Sequence, residues 1–80
     1  MGKQQLTAII RETLFLPEGR EINGTDGPGN MDEWDSLGHV NIIGALEDVF
    51  NISIEPDEVL KISSVNDIME LLKAKDVNGF

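Results

Sequence analysis

Trp34-Asp35-Ser36-Leu37-Gly38-His39-Val40-Asn41-Ile42-Ile43-Gly44-Ala45-Leu46-Glu47-Asp48-Val49-Phe50 decides the reading of this chain. Leu37, Val40, Ile43, Leu46 and Phe50 recur at helical spacing, and Ile42 and Val49 widen the apolar stripe. A helix apolar over so much of its circumference is expected at the centre of a fold, touched from several directions. Asp35 suits its N-cap, because a carboxylate there accepts from first-turn N–H groups. The helix is predicted from Asp35 or Ser36 to about Phe50. Gly44 inside it costs up to about 1 kcal/mol relative to Ala, which points to close approach of a helix or ligand there. A buried helix that starts with a hydroxyl, among acids and after a Gly/Asn/Asp-rich loop, offers Ser36 as an attachment point on the solvent side.

Upstream, Gln4 to Leu16 reads as a first helix. Leu6, Ile9, Ile10 and Leu14 form one stripe with Phe15 at its edge, and Pro17 cannot continue it. Residues 17–35 make a long connection that Gly19, Gly24, Gly27, Pro28 and Gly29 keep irregular. Ile22, Met31 and Trp34 are its expected anchors in the core. A connection this long is either functional or a spacer that lets the first two helices run antiparallel.

Downstream, Asn51 ends the central helix, and Ile52 and Ile54 alternate with polar residues in an extended piece. Pro56 at a first helical position, followed by Asp57 and Glu58, opens a short helix to about Lys61. Val59, Leu60 and Ile62 are its expected apolar contacts. Ser64-Val65-Asn66-Asp67 resembles a capping box with Asp67 in place of Glu. The last helix runs to about Lys75, with Val65, Ile68, Met69, Leu71 and Leu72 inward, and Val77 to Phe80 frayed. The expected fold is all-α: an irregular antiparallel four-helix bundle of three long helices and one short, with a long loop between helices one and two. A chain of this length is one domain, 1–80, with its ordered core at about 4–75.

The net charge is −9, from 6 basic and 15 acidic residues. No Lys or Arg lies between Arg20 and Lys61, an interval that holds ten acids. Such a field repels nucleic acid and anionic membranes and attracts basic protein surfaces. No apolar run approaches the roughly 20 residues of a membrane span, and no basic-then-apolar signal pattern opens the chain, so a cytoplasmic protein without stable membrane insertion is expected. Without cysteine there are no disulfides, thiolate–metal sites or thiol chemistry in the polypeptide. The acids match no EF-hand spacing, so no metal ligand set is assigned. Ser36 and His39 lie within reach of each other on one helix, but nothing supplies a nucleophile elbow or an oxyanion-hole loop, which argues against a hydrolase.

What remains is Asp35-Ser36-Leu37 at a helix start, where free N–H groups and the helix dipole favour a phosphate. In this segment the sequence resembles the acyl carrier protein family. The likeness runs from about Gln4 to Lys75. It takes in the helix–loop–helix layout, Ala45-Leu46-Glu47-Asp48-Val49-Phe50, the Ile52/Ile54 pair and Ser64-Val65-Asn66-Asp67. The resemblance implies that Ser36 receives a 4′-phosphopantetheine arm from coenzyme A, installed by a phosphopantetheinyl transferase with Mg²⁺ that Asp35 helps to position. It implies a non-catalytic carrier, expected as a monomer, that holds acyl groups as thioesters for the enzymes of fatty-acid, polyketide or related specialised biosynthesis. Leu37, Glu47 and Asp48, with Glu33, Asp57 and Glu58, are the expected contacts for basic patches on acyl-transferring, condensing and modifying enzymes. Val40, Ile43, Leu46, Ile54, Ile62 and Ile68 are candidate lining for a cargo pocket between helices two, three and four.

Trp34, Gly38, His39, Asn41 and Gly44 depart from the pattern of housekeeping fatty-acid carriers, and the Gly-Gly-(His/Asp)-Ser form of peptidyl carriers is absent. These departures favour a discrete carrier in a specialised pathway. The alternatives are a carrier of aminoacyl, peptidyl or short hydroxy-acyl groups and, more remotely, an acidic helical interaction domain with an unmodified Ser36.

Overall fold

Residues 4–77 are described in a computed structural model of the chain. Four helices follow in order: α1 Gln4–Thr13, α2 Ser36–Phe50, α3 Pro56–Lys61 and α4 Val65–Ala74. The described residues contain no strand, and the fold is the expected all-α arrangement of three longer helices and one short. Among them no helix is long and apolar enough to cross a membrane.

Leu6 and Ile10 of α1 are fully buried, and Leu14 follows them into the core. The helix stops three residues short of the predicted Leu16. The Leu16 N–H donates back to the Arg11 carbonyl at 2.9 Å and the Phe15 N–H to that of Glu12 at 3.3 Å, the paired bonds of a Schellman closure. This closure needs a left-handed residue, and Phe15 supplies it at φ 57°. Its side chain, expected at the stripe's edge, is 92 % exposed. Pro17 therefore follows a helix already closed. Asn51 (φ 56°) and Asp76 (φ 64°) occupy the same conformation after α2 and α4. Beyond the second of these, Val77 was expected to fray; instead it donates to the Leu72 carbonyl at 2.9 Å and packs on the core. Residues 78–80 lie outside the described residues.

The buried residues of α2 are Gly38, Ile42, Ile43 and Leu46. This stripe is rotated from the expected one: Leu37, Val40 and Val49 are exposed. A helix apolar nearly all round gives its period no preferred face, so packing decides, and α1 decides it here. Gly38 lies where a Cβ would stand 2.7 Å from Leu14 Cδ2 and 3.2 Å from Asp35 Oδ1. Gly44, the position expected to admit a close neighbour, has nothing within 4 Å. The close approach belongs to Gly38 instead. Truncation of Leu46, fully buried at the helix centre, to Ala costs about 2–5 kcal/mol.

Ile22, Met31 and Trp34 anchor the connection between α1 and α2, all in the core. The connection is more than a spacer. Asp26 Oδ2 accepts from the Asn23 N–H at 2.8 Å, and the Asn30 amide oxygen accepts from the Gly27 N–H at 2.8 Å. The loop then docks on the start of α4, where the Val65 N–H donates to the Asp26 carbonyl and the Asn66 N–H to that of Gly24, both at 2.8 Å. Gly27 permits this, since a Cβ there would collide with the Ser63 carbonyl.

Ile54 is buried and Ile52 packs against the core. Before α3 the Glu55 N–H donates to Glu58 Oε1 at 2.8 Å. No residue of α3 is buried. Val59 packs on the core, Ile62 just beyond the helix is buried, but Leu60, expected to face inward, is 86 % exposed. Val65, Ile68 and Leu72 of α4 complete the interior.

Candidate functional site

Ser36 is the first residue of α2 and is exposed. Asp35, extended at the N-cap, accepts from the Gly38 N–H through Oδ1 at 2.8 Å. Its carbonyl takes the His39 N–H at 2.8 Å. Among the described residues no protein acceptor meets the Ser36 or Leu37 N–H. The first turn thus presents two free donors and the positive end of the helix dipole beside an exposed hydroxyl, an arrangement suited to a phosphate ester.

A groove of about 570 Å³ opens beside Ser36, lined by Pro28, Trp34, Asp35, His39 and Val40 and by Val59, Leu60 and Ile62 on the other side. The volume lies within the range of small-molecule sites, about 300–1,000 Å³. Val40 and Leu60, apolar residues turned to solvent, have their place on this groove.

Trp34 is 1 % exposed, and its indole N–H donates to His39 Nδ1 at 2.9 Å. An indole nitrogen only donates, so Nδ1 is the accepting nitrogen and the ring proton sits on Nε2. That Nε2–H donates to the Val59 carbonyl of α3 at 3.1 Å. A polar chain therefore runs from the loop anchor through α2 to α3. It also commits both imidazole nitrogens, so His39 does not serve Ser36 as a base. Trp34, Gly38 and His39 are the departures from the housekeeping pattern to which the sequence assigns no structural role. The signal that could have joined two of them is a buried indole needing an acceptor next to a histidine at helical reach.

The cargo-pocket candidates divide. Val40 and Ile62 line the groove. Ile43, Leu46, Ile54 and Ile68 sit in the packed core at 8 % exposure or less. The partner-contact candidates divide as well. Leu37 is 70 % exposed, and Asp48 and Asp57 are exposed. Glu33 pairs with Arg20 at 2.7 Å, and this hydrogen bond holds its carboxyl below the usual range. Glu47 Oε2 accepts from the Ile54 N–H at 2.9 Å, tying the extended piece to α2. Glu58 pairs with Lys75 at 3.2 Å, and its bonds from the Glu55 N–H and then Lys75 lower its carboxyl.

Residues 4–72 match the family described as "Phosphopantetheine attachment site". Acyl carrier protein 3, chloroplastic, of Cuphea lanceolata is 35% identical over 65 residues, covering 81% of this chain and 45% of the relative. The protein of the same name from Hordeum vulgare is 33% identical over 69 residues, covering 86% and 52%. The chain spans about half the length of the curated relatives it matches. Among solved structures, the holo acyl carrier protein of Geobacter metallireducens superposes with a TM-score of 0.79 at 30% identity, over 89% of this chain and 80% of that one. A Mycobacterium tuberculosis protein assigned as an acyl carrier gives 0.81 at 25% identity, over 91% and 96%. The chain belongs to the phosphopantetheine-attachment family of acyl carrier proteins, a membership that implies a covalently attached phosphopantetheine.

Proposed function

We propose that Ser36 bears the 4′-phosphopantetheine arm and that the chain is a non-catalytic carrier of acyl thioesters for fatty-acid, polyketide or related specialised biosynthesis. The observation that carries this reading is Ser36 itself: an exposed hydroxyl on a helix start whose first two N–H groups have no protein acceptor. The residues fit the group. The Ser36 and Leu37 N–H groups would hold a phosphodiester at that oxygen, and the groove lined by Trp34, Val40 and Leu60 would receive an extended arm. The arm supplies the thiol that a chain without cysteine lacks.

On loading, Ser36 Oγ bonds to the phosphorus bearing pantetheine in coenzyme A, and adenosine 3′,5′-bisphosphate leaves. The serine proton passes to the transferase, because His39 is committed elsewhere. Mg²⁺ would serve only in loading, where Asp35, whose Oδ1 caps the helix, would help to hold it. The chloroplastic relatives are named acyl carriers, which favours acyl over aminoacyl cargo. Leu37, Asp48 and Asp57 form the exposed contacts for basic partners; Glu33, exposed but paired with Arg20, and the less exposed Glu47 and Glu58 add charge. Such association weakens with salt.

Incubation with coenzyme A, Mg²⁺ and a broad-specificity transferase is expected to add one phosphopantetheine mass, mapping to Ser36. An unchanged mass beside an active transferase control overturns the carrier reading.

A further inference from the structure

We propose that His39 is a latch that fixes the class of cargo. It shuts the passage between α2 and α3, so that acyl groups borne on Ser36 stay in the surface groove and the chain takes short or polar acyl groups rather than long alkyl chains. The inference rests on the carrier reading and adds the cargo class to it.

His39 stands one turn beyond Ser36 and lines the same groove. It accepts from Trp34 Nε1 at 2.9 Å and donates to the Val59 carbonyl at 3.1 Å. Short α3 buries none of its own residues, and this bond ties it directly to α2. Ile62, which lines the groove at 5 % exposure, belongs to the same buried cluster as Ile43, Leu46 and Ile68, themselves at most 7 % exposed. A long alkyl chain reaching them from the groove must push aside the His39 ring that bridges Trp34 and α3. That breaks both bonds and strands the indole N–H of a residue only 1 % exposed. An alkyl chain has no donor or acceptor to replace them, and a buried polar group left unpaired is strongly penalised. Cargo in the groove disturbs neither bond. There it meets the apolar edges of Val40 and Leu60, which are 62 % and 86 % exposed and gain from cover. His39 thus acts as a positioning residue, through Trp34 and Val59.

The test loads the full chain from acetyl-, 3-hydroxybutyryl- and octanoyl-coenzyme A with a broad-specificity transferase. Intact mass verifies each product. Two readouts follow: the nitrogen resonances of His39, which report its tautomer, and the Tm of each acylated form against the form with a free thiol. Trp34 is the sole tryptophan and the chain has no tyrosine, so its emission adds an optical reading of the same bond. In the wild-type chain the octanoyl form is expected to keep the Nε2–H tautomer and Trp34 emission, with a Tm within about 1 °C of the thiol form. In His39→Leu, octanoyl is expected to raise the Tm by several degrees, as the chain moves inward. His39→Gln, which can both accept from Trp34 and donate to Val59, is expected to behave as wild type. Loss of the His39 tautomer signature in the wild-type octanoyl form, with a Tm rise of several degrees, overturns the latch, whatever the variants do. Failure to load any acyl group overturns the carrier reading and the latch with it, and intact mass tells that failure apart from the other.

Discussion

Asp35 and Ser64 cap α2 and α4 with the same device, a side-chain oxygen on the N–H three residues ahead. The two helix starts nevertheless end in opposite surroundings. At α4 the loop supplies the carbonyls of Asp26 and Gly24 to Val65 and Asn66, and Asp67 turns back to accept from the Ser63 N–H at 2.9 Å and hydroxyl at 2.8 Å. Every first-turn donor there has an internal partner. At α2 only the third residue is capped, and the first two donors stand open beside Ser36. The same local chemistry closes one helix start into structure and leaves the other free for a group from outside. What separates them is whether a second segment of chain arrives.

That contrast can be broken most forcefully at Gly27. A Cβ there meets backbone atoms of Ser63 and Ser64, which cannot swing aside. Gly27→Ala is expected to cost about 1–3 kcal/mol, read as a fall in Tm of roughly 4–8 °C per kcal/mol. Gly38→Ala meets first a Leu14 methyl, a side-chain atom rather than backbone, and gains helix propensity, so its loss should be the smaller of the two. Next come the caps. Ser64→Ala and Asp35→Ala are each expected to lose about 1 kcal/mol in urea unfolding, but only Asp35→Ala should also slow transfer of the arm.

Acid probes the contrast more gently. Bonds from the Ser63 N–H and hydroxyl favour the charged form of Asp67 and hold its carboxyl below the ordinary value. Its contribution is therefore complete above the unfolded carboxylate range and disappears as pH falls through the lowered folded value. Asp67→Asn is expected to lower the Tm at neutral pH, with the gap to wild type closing on acidification. The smallest effect belongs to Ser36→Ala, expected to leave stability within about 0.5 kcal/mol while abolishing the mass gain. A large fall in its Tm would mean that α2 begins as α4 does, with a structural hydroxyl.

Local rules made much of this legible in advance. Asp35, Pro56 and Ser64 mark helix starts because their chemistry acts within a turn, and Ile22, Met31 and Trp34 are anchors because little else in their loop is apolar. The end of α1 was hidden because nothing about Phe15 advertises a left-handed residue. The outward turn of Val40 and Leu60 was hidden because period alone does not select a face. The chain from Trp34 through His39 to Val59, and the docking of loop carbonyls on α4, depend on segments far apart in sequence. Backbone partners leave no residue signature beyond the glycine that lets them approach.

The bonds from Val65 and Asn66 to Asp26 and Gly24 join positions about 40 residues apart. They clasp the chain into a ring that contains all of α2 and α3, and with them Ser36, His39 and the groove. Contacts so remote must overcome the entropy of closing that ring, which places them late in folding. Helices can form earlier, but the surface a partner meets is complete only when the clasp shuts. Amide exchange at Val65 and Asn66 therefore clocks the opening of the whole ring.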